Sequence, residues 1–207
     1  MGKKEKSREG KMKLVIGAMV LILVVDVVAD LTLFIGNYNI VHWAEIAVTA
    51  VAWILIIIGL VSLKNKRTEF FRGLVGSLFG ILGLAGESYF ALMNIRAGLE
   101  DKVFLSMKPM FCEYVSDLAM LFVLYMLVRG TGQLIAKAGD MELAKISIKK
   151  SNLDPIVALI AMVMIPFGTV FSMPISIIIG AVGIVINGAM RLDMLMYAKN
   201  GISVANL

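Results

Sequence analysis

Six carboxylates, Asp26, Asp30, Glu45, Glu87, Glu113 and Asp117, stand within or at the edge of long apolar runs, and one histidine, His42, lies close by in sequence. Carboxylates and imidazole are the side chains that ligate hard and borderline cations and pass protons. A charge placed in hydrocarbon costs roughly 2.5 to 3.5 kcal/mol on insertion scales, so ionisable groups in such runs face protein or water and mark functional positions by default. Spacing adds direction. Asp26 with Asp30, and Glu113 with Asp117, are i, i+4 pairs, and His42 with Glu45 is i, i+3, so each couple shares one face of a helix. His42 alone would be an ordinary interfacial residue, and only its step to Glu45 makes it a ligand candidate.

Like charges in a low dielectric cannot all stay ionised, so the acids must hold protons, meet water or bind an external cation. Asp26, Asp30, Glu87 and Asp117 are the predicted core of a cation site, with Glu45, Glu113 and His42 at its mouth. Protons, a divalent metal or a small organic cation are the candidate species. Oxygen ligands suit Mg, Ca or Mn, and His42 extends the range toward Zn or Fe. A divalent ion held by Asp26, Asp30, Glu87 and Asp117 is the one cofactor the sequence suggests. Tyr38, Trp43, Tyr89 and Tyr114 flank the acids, as an aromatic belt or, more sharply, as a cage for an organic cation. The competing reading of the acids is structural: protonated carboxyls bonding between helices, with the shallow ones reaching interfacial water.

The elements that position these residues are membrane helices. Of the 207 residues, 59% are hydrophobic and the mean hydropathy is +0.89, far from the balance of a soluble domain. About 20 mostly apolar residues span a bilayer as a helix. Six spans are predicted, over residues 14–36, 40–63, 70–95, 109–128, 155–171 and 174–197. They form an all-α polytopic bundle, one membrane domain (14–198) between a basic segment (1–13) and a short tail (199–207). The first apolar run is too long for a signal-peptide core, which predicts an uncleaved first helix. With this topology every Lys and Arg except Arg96, Lys102 and Lys108 falls on one side, so both termini are predicted cytoplasmic. At about 1.5 Å of rise per residue, all six acids fall in the outer half of the bundle, on four helices.

Gly73, Gly76, Gly80 and Gly83 recur at steps of three and four on the third span, and Glu87 is the next step. Small residues at this spacing allow close helix approach, so the stripe and Glu87 should face protein. The segment after the fourth span is read as a continuation of that helix followed by an amphipathic piece, 141–150, lying on the membrane surface or docking a partner. Asp154-Pro155 reads as an N-cap and first helical residue. The fifth span, with Pro166, is expected to be kinked, tilted or re-entrant. Asn187 and Arg191 share a face on the inner half of the last span and read as a polar packing contact, with no base at the depth of the acids.

Cys112 stands alone, so no intrachain disulfide and no cysteine metal site can form. No HExxH, GxSxG or Walker pattern occurs. The leading expectation is therefore cation-linked binding or transport in a cytoplasmic-type, bacterial, membrane. The alternative is a non-catalytic accessory or scaffold protein, packing on a membrane partner or a second copy through the glycine-rich third helix. A membrane-embedded enzyme ranks third. The basic charge is answered by anionic lipid headgroups, and no nucleic acid partner is expected.

Overall fold

The computed structural model describes residues 3–32, 38–99, 103–104, 106–168 and 173–205. Six helices account for nearly all of them: α1 Lys3–Thr32, α2 Tyr38–Leu63, α3 Thr68–Arg96, α4 Met107–Ala138, α5 Met141–Gly168 and α6 Met173–Ala205. Among the described residues, α1 to α4 and α6 are long and apolar enough to cross a membrane. Two ends differ from the sequence reading. The first helix begins at Lys3, inside the basic segment, and the last continues to Ala205, through the predicted tail.

The packing pattern is a ring. Helix α1 packs on α2, α2 on α3, α3 on α4, α4 on α6, and α6 back on α1, while α5 lies against α4 and α6. Trp53, Ile56, Leu60 and Leu63 of α2, Met12 and Met19 of α1, Phe70 of α3 and Met120, Leu124 and Leu127 of α4 are fully buried in the common core. Large apolar side chains also cover the outside, among them Val24, Ile54, Leu82, Ile160 and Val185, as expected where lipid rather than water is the solvent.

Helix α5 corrects two expectations. The surface piece at 141–150 and the span after Asp154 are one helix. Gly139, at φ 99°, ends α4 in the left-handed region, and the next residue, Asp140, caps α5 by accepting the Leu143 N–H at 3.0 Å. Asp154 is thus a buried mid-helix residue and not an N-cap. Pro155 removes one backbone donor, but the packing seam runs straight past it: Ala144, Ser147, Ser151, Asp154, Ala158 and Ala161, all buried, alternate in steps of three and four. Continuous packing outweighs the one lost hydrogen bond. Lys150 ties the segment to α6 by donating to Asp193 Oδ2 at 2.5 Å. Beyond Gly168 the predicted fifth span lies outside the described residues.

The glycine stripe explains how α3 comes so close to its neighbours. A Cβ on Gly83 would stand 2.7 Å from both Cys112 O and Ser116 N, so the backbones of α3 and α4 are in contact there. At Gly80 it would stand 2.2 Å from the Trp53 ring, and at Gly76 2.6 Å from Phe122. Gly73 is different, with nothing nearer than 3.6 Å. Gly83→Ala should therefore overpack the α3–α4 contact and destabilise the protein by about 1–3 kcal/mol. Gly73→Ala should be neutral or stabilising by up to about 1 kcal/mol through helix propensity. Thermal unfolding of the two variants in detergent checks this, and equal effects would contradict the packing account.

Candidate functional site

The ring encloses a small polar cavity of about 30 Å³, lined by residues of all five ring helices. Asp26 and Asp30 come from α1, Glu45, Thr49 and Trp53 from α2, Glu87 from α3, Glu113, Ser116 and Asp117 from α4, and Asn187 and Arg191 from α6. All six sequence-predicted carboxylates thus line one space. Helix α5 contributes none of the lining. Room of this size holds a water or two or a bare ion.

Arg191 was misread from the sequence. It is fully buried, and its Nη1 donates to Asp26 Oδ2 at 2.7 Å while Nη2 lies 3.2 Å from Asp117 Oδ1. Its Nε donates to Asn187 Oδ1 at 3.1 Å, one turn earlier on the same face of α6. Met162 Sδ of α5 lies 4.0 Å from Nη2. A base does stand at the depth of the acids, because a long guanidinium side chain reaches well away from the position of its own Cα. The readable signal was the pair itself: an Arg and an Asn at i, i+4 in an otherwise apolar span need partners inside the protein.

The second base serves the other half of the cluster. His42 is 1% exposed, its Nδ1 lies 2.6 Å from Glu45 Oε2, and its Nε2 makes a short contact with Glu87 Oε1. Glu87 is itself buried, where the glycine stripe delivers it. One ligand atom each from His42, Glu87 and Glu113 lies within 4.8 Å of the other two. His42, predicted at the mouth, contacts Glu45 and Glu87 and does not itself line the cavity.

The polar wall is only partly self-satisfied. Trp53 Nε1 donates to Ser116 Oγ at 3.4 Å, but Thr49 Oγ1, buried on the cavity wall, has no hydrogen-bond partner among the described residues. Asn94 Nδ2 donates to Val103 O at 2.9 Å and to Ser106 Oγ at 2.7 Å, and Phe104 is fully buried with its ring 4.3 Å from that of His42. The Phe104 ring thus packs edge-on against the imidazole. Of the proposed aromatic lining, Trp43 packs edge-on to Phe104, Tyr89 is exposed beside Phe90, and neither these two nor Tyr114 lines the cavity. The side chain of Tyr38 lies outside the described residues. Comparison with protein-family models, with curated proteins and with solved structures gives no match for this chain.

The geometry separates the two partners of the buried ion pair. Arg191→Met leaves Asp26 and Asp117 without their counter-ion and should destabilise the protein by about 3–5 kcal/mol. Asp26→Asn, which leaves Arg191 on Asp117, should cost less. Adding Asp26→Asn and Asp117→Asn to Arg191→Met should recover much of the loss. Unfolding midpoints in detergent decide this, and a wild-type midpoint for Arg191→Met would remove the pair from the stabilising interactions.

Proposed function

We propose that the protein binds small cations in the outer half of a six-helix transmembrane bundle and couples that binding to their transport. Both termini then lie on the cytoplasmic side, where nearly all the Lys and Arg residues gather. The sixth span is α5, whose Leu153, Ile156, Ile160 and Val163 present an apolar surface away from its buried seam. The observation that carries the reading is the gathering of six carboxylates round one cavity, with Arg191 on its wall and His42 in contact with two of them, Glu45 and Glu87. The remaining negative charge calls for protons or a metal ion. A cavity of about 30 Å³ has room for either.

The accessory reading loses its main support. Gly73, Gly76, Gly80 and Gly83 are all buried within this chain's own bundle, so the small-residue stripe is not a free face for a partner.

Purified protein reconstituted in vesicles loaded with a pH-sensitive or a metal-sensitive dye tests the proposal. Imposed gradients of protons or of divalent metal ions should collapse faster than in protein-free vesicles, and Glu87→Gln should abolish the difference. Flux equal to that of empty vesicles for protons and for metals alike would refute transport, and cation binding unchanged in an Asp30→Asn, Asp117→Asn, Glu87→Gln variant would refute the site.

A further inference from the structure

We infer that His42, Glu87 and Glu113 form a three-ligand site for a divalent transition-metal ion of the zinc or manganese class, with Glu45 holding the imidazole from behind. The inference rests on the cation reading above and names its species. The three side chains come from α2, α3 and α4, and their ligand atoms lie within 4.8 Å of one another. Ligands about 2.1 Å from a shared ion are roughly 3 to 4.2 Å apart, so the set reaches that size once the short His42–Glu87 contact opens.

The imidazole is already oriented for the task. Nδ1 lies 2.6 Å from Glu45 Oε2 and Nε2 is hydrogen-bonded to Glu87 Oε1, so both ring nitrogens face carboxylates. A metal ion taking Nε2 and the Glu87 carboxylate as ligands would displace the proton they share. A carboxylate behind a histidine is also the arrangement that fixes the tautomer and ring direction of metal-ligating histidines. The Thr49 hydroxyl, 5% exposed and without a hydrogen-bond partner among the described residues, lines the same cavity as Glu87 and Glu113 and is a separate polar group left to be answered there.

Charge and ligand type set the class. Two carboxylates with a neutral imidazole match a dication, and one nitrogen among the ligands disfavours Mg and Ca, which take oxygen. This site is not the quartet expected from sequence. Asp26 and Asp117 face Arg191, and of the four residues expected to hold a metal only Glu87 belongs to the new set.

Purified protein in detergent, titrated with Co²⁺, provides the test. Wild type should bind one Co²⁺ per chain, develop visible d–d absorption, and lose it to Zn²⁺ but not to equal Mg²⁺ or Ca²⁺. Glu87→Gln, His42→Gln and Glu113→Gln should each weaken binding by more than 100-fold, Glu45→Gln by about 10- to 100-fold, while Glu142→Gln, exposed at the start of α5, leaves it within a few-fold. Only variants that stay monodisperse are compared, and the wild-type titration stands without any of them. Absence of Co²⁺ and Zn²⁺ binding by wild type would overturn the metal site, as would binding indifferent to both Glu87→Gln and Glu113→Gln. The vesicle assay separates the two levels: wild type that moves protons but binds neither metal overturns this inference alone, and wild type that does neither overturns the cation reading as well.

Discussion

Carboxylates withdrawn from water need a positive charge, a proton or a polar wall, and that need organises the helices round the cavity of this bundle. Two bases answer it, each between two acids. Arg191 of α6 faces Asp26 of α1 and Asp117 of α4, and His42 faces Glu45 of its own helix and Glu87 of α3. The polar contacts therefore cross three of the helix boundaries round the cavity: α6 to α1, α6 to α4, and α2 to α3. Such buried pairs add little net stability over apolar packing, yet losing one partner is costly, so they act as constraints on which arrangement of helices is allowed.

Apolar packing supplies the rest of the precision. In lipid there is no hydrophobic drive to bring helices together, and close contact depends on shape. Gly83 lets α3 touch the backbone of α4, and Gly80 accepts the face of Trp53. One turn beyond that stripe the same face of α3 carries Glu87 into the cavity, so a packing device and a cavity carboxylate share one register.

Helix class, the acids' common depth and the direction of Glu87 were legible in the sequence because each follows from a periodicity or a count along one helix. The inward turn of Asp26, Asp30, Glu113 and Asp117 was legible only as shared faces. Which face meets which neighbour depends on helix rotation, and that is a property of the assembled ring. Arg191 was misplaced for a related reason: residue counting locates a Cα, and a guanidinium acts several ångströms away from it. Asp154-Pro155 misled through local chemistry. A capping residue followed by proline reads as a helix start, but the buried seam from Ala144 to Ala161 shows tertiary packing carrying the helix through.

A single guanidinium shared by two helices makes those helices competitors. Arg191 offers one charge to Asp26 and Asp117, so a proton or cation that neutralises either one leaves the other as its undivided partner. Three helices, α1, α4 and α6, thus meet at one charge, and α5, none of whose described residues lines the cavity, reaches the same guanidinium through the thioether of Met162.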